Sequence, residues 1–358
     1  MDEIINLRKE IDKIDNEILA LLTKRAEMVI RVGELKRKAN WDWYAPERER
    51  EIYERLEKLN PGVFPNEAIR NIFKEILSAS LALEKPVRVT YLGPKATFTH
   101  QACTEYFGFS AQYIPTESIK QVFRLVEVKE ADFGVVPIEN STEGVVTHTL
   151  DLFIESSLKI CGEIRLEIAQ NLLSKTGELD KIRRICSHPQ ALAQCRDWLE
   201  RNVPAIPLIE VESTAKAAEI ASEDPSCGAI ASKLAAELYN LRIIRGNIQD
   251  NPNNLTRFLV IGNKIREKTG SDKTSIIFSV KDRVGILFEI LGIFAKSNIN
   301  LTKIESRPSR HKAWDYYFFL DFEGHLEDEN IKHALQELEK ETIFLKILGS
   351  YPKAATKT

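Results

Sequence analysis

Residues 133–146 read FGVVPIENSTEGVV, and the reading of this stretch decides the middle of the chain. The apolar run Phe133–Val136 has the character of a buried strand, and at Pro137 the missing N–H argues for its end. Glu139, Asn140, Ser141, Thr142 and Glu143 then crowd the segment with donors and acceptors before Gly144. In α/β sheets such strand ends face ligands, because loops and helix N-termini present unpaired N–H groups there. Outward from this point, residues 86–265 alternate short apolar runs (VRVTYLG, IRRICS, PLIEV, CGAIAS, TRFLVIG) with helical stretches such as 189–201 and 214–223. That alternation predicts an α/β domain with a mixed or parallel sheet. Two more stretches share the design: TYLGPKATFTHQA (90–102) and NNLTRFLVIG (253–262). Any one of the three reads as a turn with a cap; three in one domain predict a site.

The flanks have different grammars. Ahead of the α/β region, apolar positions at Ile4, Leu7, Ile11, Ile14, Ile18, Leu21, Met28, Val32 and Leu35 follow a 3–4 alternation. This predicts one helix over 3–39, about 55 Å long. Pro46 and Pro65 suit the first turns of helices over 47–59 and 66–84. Behind the α/β region a polar linker, 263–273, leads to strand, helix, strand, strand, helix, strand: a ferredoxin-like βαββαβ unit. The expected domains are thus 1–85, 86–265 with a second lobe at about 173–247, and 273–352. With 358 residues, two or three domains are the prior.

Charge narrows the function classes. A formal net charge of −3 gives no electrostatic case for nucleic acid or an anionic membrane. No apolar run nears the roughly 20 residues of a membrane span, and MDEIINLRKE is too charged for a signal peptide. The five cysteines lack metal or disulfide spacing and read as reduced thiols, so a cytoplasmic protein without metal or cofactor is expected.

Within the helical segment the seam position after Leu21 is Arg25, where an apolar side chain is due. A buried guanidinium is expensive without an anion. Lys36 lies three turns on and shares a face, Arg48 and Glu49 open the second helix, and Ser80 and Glu84 sit one turn apart on the third. Together they predict a cationic pocket for a small dianion; the alternative is that Arg25 pairs with an internal glutamate as a packing-specificity device. Arg8 and Arg25 are 17 residues apart, about 25 Å on one helix, so one site using both needs Arg8 from a second chain. An intertwined homodimer or a higher homo-oligomer is expected.

These residues carry a resemblance. The segment from LRKEIDKIDNE to PERERE, closed by SASLALE, is similar to the all-helical chorismate mutase family. The resemblance implies a site of Arg8, Arg25, Lys36, Arg48, Glu49, Ser80 and Glu84, with Lys36 and protonated Glu84 at the ether oxygen of chorismate. Ala45 stands where relatives often carry aspartate. The motifs GPKATFT, ENST, SHPQALAQC (187–195), ESTAKAA (212–218) and TRF resemble prephenate dehydratase, implying two α/β lobes of the periplasmic-binding-protein type. Thr256 would be the catalytic donor to the departing hydroxyl of prephenate. Thr97, Phe98, Thr99, Glu139, Asn140, Ser141, Thr142, Ser187, Gln190, Arg257 and Phe258 would bind substrate, Arg257 with a side chain that could point away. Ala96 replaces a common glycine. DRVGILFEILGIFAKSNINLTKIESRP is similar to the ACT domain attached to such dehydratases. It implies an L-phenylalanine site at Gly285, Ile286, Leu287, Asn300, Leu301, Glu305, Ser306, Arg307 and Pro308, Ile286 replacing the usual alanine. The whole resembles a bifunctional chorismate mutase/prephenate dehydratase of phenylalanine biosynthesis under feedback control. Two alternatives stand beside it: a monofunctional dehydratase with a helical dimerisation domain, and a non-catalytic amino-acid-sensing binding protein.

Overall fold

A computed structural model describes residues 1–39, 46–308 and 316–354; the Ala45 position falls outside them. The described chain divides into two compact units, one of residues 1–87 with 107–112 and one of the remainder. In the first, helix α1 runs Asp2–Lys38 unbroken, α2 spans Pro46–Leu59 and α3 spans Asn66–Glu84. The apolar seam of α1 makes it a helix but does not bury it: Ile4, Leu7, Ile11, Ile14, Ile18 and Leu21 are all at least half exposed. Gly33 is the buried residue of α1. A Cβ there would meet Glu84 Cγ at 2.8 Å, so only glycine lets α3 bring that carboxylate against the helix.

The second unit holds three sheets. The first combines β1 (Arg88–Leu92), β2 (Gln112–Thr116), β3 (Phe133–Asn140), β4 (Gly144–Val145), β5 (Lys159–Glu167) and β11 (Leu255–Gly262), in the order β2-β1-β3-β11-β5 with β4 paired to β3. Helices α4 (Phe98–Phe107), α5 (Ile119–Glu127) and α6 (Thr147–Glu155) flank it. The chain leaves this sheet after Glu167 and returns at Leu255. Between those points lies a second lobe: β6 (Asn171–Ser174), β7 (Arg184–Ser187), β8 (Leu208–Glu210), β9 (Cys227–Ala231) and β10 (Arg242–Arg245), in the order β10-β6-β9-β7-β8. Its helices are α7 (Pro189–Gln194), α8 (Arg196–Asn202), α9 (Thr214–Glu223) and α10 (Lys233–Leu238). Side-chain oxygens of Ser213 and Ser232 cap α9 and α10, as the short polar residues ahead of each helix suggest. This is the two-lobed, periplasmic-binding-protein-like arrangement.

The third sheet has β12 (Asp272–Ser279), β13 (Leu301–Pro308), β14 (Tyr316–Glu323) and β15 (Phe344–Pro352), ordered β13-β14-β12-β15, with helices α11 (Ile286–Lys296) and α12 (Glu329–Glu341). It is the expected ferredoxin-like unit.

One reading of the opening stretch is corrected. The strand does not stop at Pro137 but continues as β3 to Asn140. The antiparallel register with β11 shifts between Arg257 and Phe258: Glu139 pairs with Arg257 and Pro137 with Phe258, so Ile138 is the extra residue of a bulge in β3, beside Pro137, which has no N–H to give. Because pairing resumes beyond the bulge, Glu139 and Asn140 obey strand alternation and point to opposite faces.

Candidate active sites

In the helical unit the structure brings Arg25, Lys36, Ser80 and Glu84 together. Arg25 donates a short hydrogen bond to Ser80 Oγ, and Ser80 in turn donates to the Ile76 carbonyl at 2.6 Å. Among the described residues Arg25 has no carboxylate partner, so pairing with an internal glutamate is not what forms. Burial pulls its pKa down, the mark of a cation short of an anion. Lys36 Nζ stands 3.8 Å from Glu84 Oε2, a buried oxygen with no hydrogen-bond partner at closer range among the described residues. Burial raises the Glu84 pKa, and Lys36 only partly opposes it. Glu49 is half-buried nearby in sequence, whereas Arg48 is exposed and bonds Glu51 at 2.6 Å. Arg8 is exposed near the other end of α1. These two arginines are not gathered into the site by this chain alone. Gly33 was missed in the sequence; a lone glycine inside a strong helical pattern was the available signal.

In the two-lobed unit the decisive feature is at the return of the chain into the first sheet. Asn140 Nδ2 donates to Thr256 Oγ1 at 2.7 Å and to Asn254 Oδ1 at 2.9 Å. Asn140 Oδ1 accepts the backbone N–H groups of Thr142 and Glu143, at 2.9 and 3.1 Å. Asn140 is therefore saturated, and its amide cannot be turned over. Thr256 is 9% exposed and accepts from Asn140; among the described residues no acceptor takes its own proton. Ser141 Oγ ties the loop to the start of β11, donating to the Asn253 carbonyl at 3.1 Å and accepting the Leu255 N–H at 2.9 Å, while Thr142 is exposed.

The lobes meet here. Asn254 Nδ2 donates to Gln194 Oε1 at 3.1 Å, Gln194 Nε2 to Glu143 Oε1 at 3.3 Å, and Ser232 Oγ to the Ala96 carbonyl at 3.2 Å. Gln194 and Asn254 were missed: Gln190, the expected residue of that helix, is exposed, and Gln194 one turn further faces the junction. A cavity of about 340 Å³ lined by Leu192, Arg196, Leu199, Val203 and Leu208 includes none of the expected residues.

Other expected site residues are engaged or buried within the chain. Thr97 is a helix cap, its hydroxyl bonding the Pro94 carbonyl at 3.1 Å and receiving the His100 N–H at 3.3 Å. Ser187 donates to the Ile230 carbonyl at 2.7 Å inside the second sheet. Thr99 and Phe258 are buried and Phe98 is half-buried. Ala96 is fully buried in the second lobe's core with φ 69°, and its N–H donates to His100 Nδ1 at 3.2 Å. That bond and burial, which lowers the His100 pKa to about 4, keep the imidazole neutral.

Arg257 and Glu139 lie on the face opposite Thr256. Arg257 Nε donates to Glu163 at 2.8 Å, Nη1 to Asp321 at 2.6 Å, and Nη2 to Tyr351 Oη at 3.0 Å. Glu139 forms a short ion pair with Lys303, and Lys273 reaches Glu163 at 2.9 Å. The Arg257 guanidinium is thus engaged by one residue of the first sheet and two of the third, because strand alternation carries residue 257 to the face opposite Thr256. Burial pushes Glu163 and Glu139 up, but their cationic neighbours outweigh it and hold both below the ordinary range.

At the third sheet Gly285, with φ +85°, precedes α11 in open space. Ile286 packs into the domain core, while Leu287, Asn300 and the outward-facing Ser306 and Pro308 are exposed. Leu301 and Glu305 are half-buried on the other face of β13, and Arg307 there bonds Asp151 of α6 at 3.1 Å, so its charge is already paired.

These units define a multidomain enzyme: a helical unit with a cluster of Arg25, Lys36, Ser80 and Glu84, a two-lobed unit and a ferredoxin-like module. Family comparisons place each part: chorismate mutase type II matches residues 7–85, prephenate dehydratase 89–266 and the ACT domain 274–340. The chain belongs to the bifunctional chorismate mutase/prephenate dehydratase family. It is 58% identical to the protein of that name from Aquifex aeolicus, over 99% of both chains. Identity to that from Pseudomonas aeruginosa is 44%, over 99% of this chain and 98% of the relative. Prephenate dehydratase of Arthrobacter aurescens, solved in complex with L-Phe, superposes with TM-score 0.69 at 37% identity over 75% of this chain and 90% of that one. End-to-end similarity to bifunctional relatives favours that reading over a monofunctional dehydratase or a non-catalytic sensor. No helix among the described residues is long and apolar enough to cross a membrane.

Proposed function

We propose that the chain converts chorismate to prephenate in the helical unit and prephenate to phenylpyruvate in the two-lobed unit, in the cytoplasm, under feedback by L-phenylalanine at the third domain. The first reaction is a pericyclic shift that needs no covalent catalyst, so the site has only to hold the compact conformer and stabilise charge on the breaking ether bond. Arg25 supplies an unneutralised guanidinium for a carboxylate. Lys36 and Glu84 supply two donors to the ether oxygen, Glu84 in its protonated form. The remaining carboxylate contact falls to Arg8 of a second copy. The exposed apolar seam of α1 supports that assembly, since six large apolar residues on one helix face call for a partner surface.

In the second reaction prephenate loses hydroxide and CO2 as the ring aromatises. The barrier lies in the leaving hydroxide, and a positioned donor lowers it. The hydrogen bond from Asn140 to Thr256 carries this assignment, because it occupies the threonine oxygen from one side and leaves its proton for the substrate hydroxyl. Substrate reaches Thr256 when the contacts of Gln194 and Ser232 across the lobes part. The test is to supply chorismate to the purified protein and follow both products with and without L-Phe, beside Thr256→Ala. That variant should accumulate prephenate at the parental rate and form no phenylpyruvate; normal phenylpyruvate formation would remove Thr256 from the mechanism.

A further inference from the structure

The role given to Thr256 depends on where its proton points, and that depends on which end of the Asn140 amide faces it. We propose that Asn254 is a positioning residue for the dehydratase reaction: by accepting one N–H of Asn140 it directs the other onto Thr256, which leaves the threonine proton for substrate. The inference rests on the reading of Thr256 as hydrogen-bond donor.

Asn254 is 2% exposed, two residues before Thr256, at the point where the chain comes back from the second lobe. Its own amide has a single workable orientation. The Glu143 carboxylate can only accept, so Gln194 must turn its N–H group to it. The Gln194 carbonyl then faces Asn254 and also takes a proton of Gln170 Nε2 at 3.2 Å, so Asn254 presents its N–H there, at 3.1 Å. That leaves the Asn254 carbonyl for Asn140. An accept-only charge at one end thus sets the sense of the bonds as far as Asn254, whose oxygen then holds Asn140 in the same sense that the Thr142 and Glu143 N–H groups impose on it. Two of the links join residues of different lobes, so the arrangement is complete only when the lobes are together.

Two near-isosteric replacements separate this role from packing. Asn254→Asp keeps the acceptor for Asn140 and loses the donor to Gln194; Asn254→Leu loses both. A positioning role predicts that Asn254→Leu lowers dehydratase kcat by about 10- to 100-fold, the range for losing one buried hydrogen-bonding partner, with KM within about twofold. Asn254→Asp should recover kcat to within about fivefold of the parent, with KM raised by the lost link across the lobes. A packing role predicts the reverse order, because a buried carboxylate is costlier than leucine. In an Asn140→Ala background Asn254→Leu should have no further effect on kcat. The inference is overturned if Asn254→Leu keeps kcat within about twofold, if Asp is no better than Leu, or if the loss persists in the Asn140→Ala background. Mutase activity and the melting transition of each variant report folding, and Asn254→Ala replaces Leu should Leu unfold the unit. Thr256→Ala measured alongside keeps the two ideas apart: an active Thr256→Ala protein sinks the donor itself, whereas an inactive one beside a normal Asn254→Leu sinks only Asn254.

Discussion

Replacement of Arg257 by methionine tests whether the arginine of the Thr-Arg-Phe stretch is structural. Its guanidinium makes three hydrogen bonds, to Glu163, Asp321 and Tyr351, and the Glu163 side chain is only 1% exposed. Methionine retains much of the side-chain volume but leaves two carboxylates without their principal cation. Removing one partner of a buried ion pair costs about 3–5 kcal/mol, even where the intact pair adds little over an apolar substitute. At about 2–3 °C per kcal/mol for a unit of this size, the melting transition of the two-lobed and third-domain unit should drop by roughly 6–15 °C. Calorimetry at neutral pH measures it. The pH dependence supplies a second check. Glu163 and Glu139 are held below the ordinary glutamate value of 4.5, so the pairing stabilises above that value and is lost as pH falls through the folded-state values. The gap between parent and variant should therefore narrow on the acid side. A drop below about 3 °C at neutral pH, or a gap unchanged by acid, would refute the reasoning. Substrate binding by Arg257 would instead give a parental melting curve with raised dehydratase KM.

Glu84 should give the mutase a falling pH profile. Burial raises its pKa, the protonated form is the donor, and activity declines as pH rises through that value. Glu84→Gln should flatten the profile between about pH 5 and about pH 9; a parent already flat there would remove Glu84 as donor. At Ala96 two effects oppose each other. Ala96→Gly relieves about 1 kcal/mol of left-handed strain but removes a fully buried methyl of about 0.8 kcal/mol. The melting temperature should stay within about 2 °C of the parent, and a larger rise in calorimetry would show that the methyl packs against nothing of consequence.

Local pattern was enough for the elements and the fold class. The 3–4 seam makes α1 a helix whatever covers it, and the proline positions mark the starts of α2 and α3. Short continuous apolar runs separate β1, β3, β7, β9 and β11 from the helices between them, and the three site-bearing stretches could be picked out because polar residues interrupt apolar runs at their ends. Arg25 with Lys36, and Ser80 with Glu84, were legible as pairs since helical periodicity fixes which residues of one helix share a face. Partnership across the chain was not legible. The bulge at Ile138 decided that Asn140 meets Thr256 while Glu139 and Arg257 turn to the third sheet, because strand alternation fixes a face only once register is known. Asn254 and Gln194 carry no local signal, being ordinary amides until two lobes 60 residues apart in sequence bring them within hydrogen-bonding distance. A sequence specifies which groups exist and their local period; which end of an amide faces which partner is set by the packing that surrounds it.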